Sequence, residues 1–451
     1  MQRKLFIKLL VLALLFLGLQ IPLVLTQDVV GERANFRDIA IADVAQAQAG
    51  EQRLLGPVLV VPYRREWLEH SQDSDGKPVT RPRREDSFLT VLPTQLQVHG
   101  DAAVELRQRG IFPVPVYLNA LELQGQFQWP ANFGRAGQAD ETITWHTPYV
   151  AIGISSQRGL KQVEPLRWNQ VIQSFAPGSG LGDLLDGQGI RAEVPLNLQA
   201  GDVEFQVKLK LAGTQQFSVL PLGEQTHLQL ASNWPHPRFA GAQLPDQRSI
   251  SDAGFTASWQ TSHLATNLGS NWQRCMRGGE QCHHLWDQEL GVALHEPVDI
   301  YLMSERALKY GFLFLGITFA AFFLLEMQLS LPVHPIQYGM VGLALAMFFL
   351  LLISFAEQLG FAAAYAIAAF ACISLISFYL VAVLKAKNRA LGFAVLLAAL
   401  YGALYAILQL EDVALLIGAS LLFVLLAVVM ALTRNVDWYG WQAPPALDNA
   451  P

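Results

Sequence analysis

The chain has 451 residues, of which 52% are hydrophobic and 15% charged, with a net charge of −6. An acidic balance without a basic stripe excludes a nucleic-acid-binding role. The average also joins two unlike compositions, a polar segment at 28–305 and a nearly uncharged one at 310–433, which excludes a single soluble globular domain.

Arg3, Lys4 and Lys8 precede an apolar run that ends at Leu25. The boundary Val24-Leu25-Thr26-Gln27-Asp28 lacks a small-x-small cleavage pattern, so residues 1–27 are expected to remain as an uncleaved anchor helix. Lys8 is expected to snorkel toward cytoplasmic headgroups. From Asp28 to Ala49, Phe36, Ile39, Ala40, Val44 and Ala47 recur at helical spacing, predicting an amphipathic continuation of the anchor that stops at Gly50.

Val58 to Val61, after Gly56-Pro57, is expected to be a short buried strand. The polar stretch 66–86, with Arg81, Arg83 and Arg84, is expected to be a solvated hairpin loop. Between Phe88 and Trp259 the pattern is strand-like, and clearest at Val203 to Leu211, where apolar and polar residues alternate without a break. Segments 114–128, 142–154, 227–231 and 255–260 read the same way. Residues 166–175 and 182–185 are expected to be short helices. The domain is therefore β-rich and sandwich-like.

Five apolar runs follow, at 310–325, 338–355, 361–384, 390–408 and 413–432. About 20 apolar residues cross a hydrocarbon core of about 30 Å, so with the first run, 5–25, six transmembrane helices are expected. The predicted fold is membrane α-helical, with the β-rich domain of residues 28–305 inserted between helices 1 and 2, a five-helix bundle at 306–433 and a tail at 434–451. Lys385, Lys387 and Arg389 in one short loop and Arg434 in the tail, set against Glu357, Glu411 and Asp412 in the others, put both termini in the cytoplasm. Residues 28–305 are then expected on the side of the membrane away from the cytoplasm. Ala394, Ala398, Gly402 and Ala406 form a small-residue stripe suited to helix packing, as do Ala364, Ala368 and Cys372.

Chemical motifs are few. Glu326 and Glu357 sit near span ends and are expected to be interfacial, which disfavours a carboxylate relay through the membrane. Cys275 and Cys282 are expected to form a disulfide if their domain lies outside the cytoplasm, since C-x6-C-H-H fits no standard zinc site. No metalloprotease, nucleophile-elbow or nucleotide-binding motif occurs, so neither a metal nor another cofactor is expected, nor an enzyme. Trp234-Pro235-His236-Pro237 is a rigid turn with an aromatic anchor. With Phe239, it competes as a ligand or partner surface.

Several stretches in order resemble the CreD family of bacterial inner-membrane proteins. They are Glu32-Arg33, Gly56-Pro57, Arg109-Gly110-Ile111 with Tyr117, Trp234 to Pro237, Gly254-Phe255 with Trp259, and Pro297-Val298-Asp299. Glu305-Arg306 with Lys309-Tyr310, Gln337-Tyr338 and Arg434 to Trp438 extend the likeness to nearly the whole chain. Ser156 departs from the pattern, which leads one to expect Asp there. The resemblance implies a role in envelope integrity, colicin tolerance and the response to β-lactam stress, and it implies no reaction.

The expected function is thus support of the cell envelope by a periplasmic domain that binds an envelope protein or lipid, anchored in the bilayer. A transporter or lipid-handling protein, passing an amphiphile between bundle and domain, is the alternative. Trp234, His236, Phe239, Asp299, Glu305 and Arg306 form the candidate surface. An enzyme would have to use His236, Asp299 and Glu305.

Overall fold

A computed structural model describes residues 2–72, 78–135, 141–182, 184–277, 282–294, 299–329, 333–384 and 386–409, with isolated positions between 416 and 434. The expected sixth span and the tail therefore lie largely outside the described residues. The chain divides into two units, Met1–Arg37 with Val298–Pro451, and Asp38–Pro297.

The chain opens with α1 (Gln2–Gly18) and α2 (Gln20–Gln48). The helix stops where Ala49 and Gly50 both take positive φ, as the glycine predicts. Of the apolar positions expected on one face, Ala40 is buried, whereas Phe36 and Ile39 are exposed.

The second unit is then built from strands. They are β1 (Gln52–Gln72), β2 (Pro78–Val91), β3 (Gln95–Arg109), β4 (Phe112–Trp129), β5 (Glu141–Trp145) and β6 (Tyr149–Ile154). Next come β7 (Leu160–Val163), β8 (Leu166–Trp168), β9 (Val171–Gln173), β10 (Ala176–Pro177), β11 (Gly189–Glu193) and β12 (Gly201–Thr214). The last are β13 (Gln216–Leu220), β14 (Gln225–Ser232), β15 (Pro237–Gly241), β16 (Gln247–Ser251), β17 (Gly254–Ser262) and β18 (Leu290–Leu294). Short helices α3 (His263–Thr266), α4 (Leu268–Met276) and α5 (His283–Trp286) precede β18.

These strands make two sheets of nine. The first runs β10-β11-β6-β1-β13-β18-β15, with β2 and β5 also paired to β1. The second runs β16-β17-β14-β3-β4-β12-β8-β9, with β7 also paired to β12. One core draws Leu59, Ile152 and Val219 from the first sheet and Leu123, Phe127, Val207 and Trp259 from the second, so the sheets pack face to face. The other face of the first sheet is covered as well. There Val58, Val60 and Ala151 meet Leu268, Trp272 and Leu285 of α4 and α5.

β1 serves both cores through one local device. The pairing of β1 with β6 shifts register between Leu55 and Val58. That shift turns the alternation by one step, and both neighbouring faces stay apolar. Gly56 sits in the shift with φ +99, and a Cβ there would stand 2.8 Å from the Ala151 carbonyl oxygen. Only glycine fits.

Three expectations need correction. Of the stretch 66–86, residues 66–72 and 78–86 are not loop but paired strand, in register from Leu59 opposite Val91 to Gln72 opposite Pro78, and 73–77 lie outside the described residues. Opposite charges face each other across it, as in Arg64–Asp86 at 2.6 Å and Arg83–Glu69 at 2.6 Å, and both faces are wet. No apolar alternation marks such a strand, and its arginines do not form a bare basic patch. Residues 166–175 form β8 and β9 rather than a helix, because β12 offers them a partner edge. Near 182–185 the backbone makes only a single short turn at Leu184–Gly187.

In the first unit, α6 (Ile300–Leu329), α7 (Pro335–Leu359), α8 (Phe361–Leu384) and α9 (Lys387–Gln409) follow. Among the described residues five helices are long and apolar enough to cross a membrane, Phe6–Gln48 and one within each of α6 to α9. Ala364, Ala368 and Cys372 lie buried on α8, as a packing stripe should. The stripe of α9 does not. Its buried face is Ala390, Phe393, Leu397 and Tyr401, while Ala398, Gly402 and Ala406 are exposed.

Candidate functional site

The outward face of the second sheet carries polar side chains along four strands. Strict alternation creates it. On β12, Glu204, Gln206, Lys208 and Lys210 point out between buried Val203, Phe205, Val207 and Leu209. On β3, Gln95, Gln97 and His99 point out between Leu96 and Val98. Register then sets these side chains in rows across four strands. His227, Gln97, Gln124 and Gln206 form one row, and Gln229, His99, Glu122 and Lys208 the next. Below them lie Ala231, Asp101, Ala120 and Lys210, and above them Gln225, Gln95, Gln126 and Glu204.

Two shallow hollows mark the face. One hollow of about 390 Å³ lies over Asp101, Ala120, Lys210 and Ala231. A second, also of about 390 Å³, lies over Gln97, Gln124, Gln126 and Gln206, with Arg167 on its rim. The side chains are held in place by one another. Gln124 Nε2 donates to Gln97 Oε1 at 3.0 Å. Gln206 Nε2 donates to Glu122 Oε1, and Lys208 Nζ stands 3.6 Å from the same carboxylate. The rings of His99 and His227 lie 6.4 Å apart. Such a surface can exchange many hydrogen bonds with a ligand. Among the described residues no group of three or more His, Cys, Asp or Glu is placed to hold a metal ion.

The interior of the sandwich is filled by contrast. Trp259, Phe127, Leu54, Leu96 and Leu123 are all under 2% exposed. Beside buried Asn119 a gap of about 10 Å³ remains between Tyr117, Phe217, Leu230 and Phe255, which is room for about one water.

The residues singled out in the sequence divide between the units. Trp234 Nε1 donates to the His236 carbonyl at 3.1 Å, which closes the turn. Phe239 packs edge-on against Phe255 and Trp259, so it belongs to the core. His236 is exposed at the corner. Cys275 and Cys282 are joined by a disulfide between α4 and α5, with Cα atoms 4.9 Å apart.

In the first unit Asp299 starts α6. Its Oδ1 accepts from the backbone N–H of Tyr301 at 2.9 Å and of Leu302 at 3.2 Å, and its Oδ2 from Arg37 at 2.6 Å. Glu305 pairs with Lys309 one turn on, at 2.8 Å. Arg306 is half-buried on the same helix.

Two polar clusters escaped the sequence reading. Tyr301 Oη donates to Glu357 at 3.0 Å, and Arg33 stands 3.8 Å from the same carboxylate. Far along the helices, Lys8 pairs with Glu326, which also accepts from Tyr338 Oη at 2.8 Å. Lys8 therefore has a protein partner, and both glutamates are satisfied within the helical unit. Only the position of each near a span end was a signal.

Burial alone would raise the Asp299 carboxyl, but the Arg37 guanidinium and the two backbone N–H groups outweigh it and hold it below its ordinary range. A depressed carboxyl stabilises the fold above its unfolded value, about 3.9, and that contribution is lost as pH falls through the folded value. Asp299→Asn is therefore expected to flatten the acid limb of the melting temperature against pH for the full chain in detergent. An unchanged acid limb would contradict the pairing.

The family model for inner membrane protein CreD matches residues 4–439. Inner membrane protein CreD of Escherichia coli K12 is 35% identical over 431 residues, covering 94% of this chain and 92% of its own. Among solved structures, an M1 zinc metallopeptidase from Deinococcus radiodurans aligns over 38% of each chain, at 10% identity and a TM-score of 0.20. That likeness carries no argument about chemistry.

Proposed function

The chain belongs to the CreD family of inner membrane proteins, and on that premise we propose that it supports the cell envelope by binding an envelope component. The β domain stands on the periplasmic side and the helical unit anchors it, with both termini in the cytoplasm. The ligand docks on the outward face of the second sheet, and no bond is made or broken there. Envelope integrity and colicin tolerance follow from that contact.

One observation carries this reading. The outward face is polar, ordered in rows and marked by two hollows, while among the described residues the sandwich interior is filled by large side chains around a small gap at Asn119. The filled interior argues against the amphiphile carrier. A photo-crosslinking amino acid at Gln124 or Gln206 in living cells is expected to capture an envelope component. The same group at Arg81 of β2, exposed on the first sheet, is expected to capture none. Equal yields at all three positions would overturn the assignment.

A further inference from the structure

The ligand class follows from the chemistry of the same face, and this inference rests on reading that face as the binding site. Gln97, Gln124 and Gln206 stand side by side on adjacent strands. An amide presents a donor and an acceptor together, so its best partner is a group that does the same. Charge gives no preference for an ion. Lys208, Lys210 and Arg167 stand with Asp101, Glu122, Glu164 and Glu204 around the two hollows, a net charge of −1. A nearly balanced field favours a neutral ligand over a polyanion or a polycation.

The floor narrows the choice further. Ala231 and Ala120 flank Asp101 in register, leaving room for methyl-sized groups in the first hollow. Peptides dock on sheets by adding to an unpaired edge and seating side chains in pockets. β3, β4 and β12 are paired on both sides, so they offer no edge. The rows extend from Gln95 to Asp101, about 20 Å at 3.4 Å per residue, which suits an extended polymer.

We propose that this face binds a polymer of N-acetylated amino sugars. The acetamido N–H and C=O pair with the amides of Gln97, Gln124 and Gln206, and acetyl methyls rest over Ala120 and Ala231. Hydroxyl groups reach His99 and the charged side chains beside them.

The full chain in lipid nanodiscs is titrated by calorimetry with the N-acetylglucosamine tetramer of chitin, the glucose tetramer of cellulose, and tetra-alanine. The chitin tetramer is expected to bind. The double change Q97A/Q124A is expected to weaken it by roughly tenfold or more, and R81A on β2 of the first sheet to leave it unchanged. Gln124→Glu keeps the shape of the side chain but removes the donor, and is expected to weaken binding too. An unchanged melting temperature in these variants ties the loss to the face rather than to the fold. Equal binding of the cellulose tetramer overturns the acetamido assignment. Binding of tetra-alanine alone overturns the sugar in favour of a peptide. If no sugar binds while cross-links at Gln124 persist, the sugar class falls and the binding face stands. If both fail, the face itself falls.

Discussion

Lys8→Met is expected to destabilise the helical unit by about 3 kcal/mol, the low end for removing one partner of a buried pair. The change leaves the Glu326 carboxylate, with a side chain 11% exposed, without its cation. Tyr338 Oη and the backbone N–H of Val333 still reach Glu326, but neither neutralises it. A carboxylate left alone among apolar helices is the costly outcome, more than the loss of an attraction. The double change Lys8→Met with Glu326→Gln removes the charge itself and is expected to recover most of the loss. The measurement is the thermal unfolding of the full chain in nanodiscs. If the double variant is no more stable than Lys8→Met alone, the two residues are not coupled.

Trp272→Ala is expected to cost about 3–5 kcal/mol, as for other fully buried large aromatics. Leu268, Trp272 and Cys275 are the buried side of α4, at i, i+4 and i+7. Trp272 is 1% exposed and its Nε1 donates to Thr90 Oγ1 at 2.9 Å. It holds the helical layer on the first sheet, so its loss uncovers Val58 and Val60. Trp272→Phe keeps most of the packing and is expected to cost about 1 kcal/mol for the lost hydrogen bond. Protease sensitivity of α4 should rise in step with the melting loss. A loss under about 1 kcal/mol for the alanine variant would contradict this packing.

Much of this fold is legible in the sequence wherever one face of an element is dry and the other wet. Val203 to Leu211 is the clear case, and its burial follows its alternation residue by residue. The apolar helices are legible for the opposite reason, since lipid and neighbouring helices are alike to a leucine. The strands at 66–72 and 78–86 are not legible, because a strand wet on both faces has no alternation to show. Residues 166–175 are too short for periodicity to separate helix from strand, and the edge of β12 decides.

The candidate site was less legible than the fold. Glutamines scattered over β3, β4 and β12 look like ordinary solvation until register sets them in rows. The Lys8–Glu326 pair joins residues 318 apart in the chain. No local pattern connects them, although each stood out as a charge at the end of a span. Trp234 and Phe239 drew notice as an unusual stretch, and their rings serve the turn and the core.

The sandwich is proposed to face the periplasm with the rows of its second sheet bare. Cysteine placed at Gln124 or at Leu123, with Cys372 changed to Ser, tests both parts in cells whose outer membrane alone has been permeabilised. A maleimide that cannot cross the inner membrane is expected to label Gln124→Cys and to leave Leu123→Cys unlabelled, since Leu123 is fully buried. Labelling of Gln124→Cys only after the inner membrane is broken would contradict the location. Equal labelling of both positions would contradict the face.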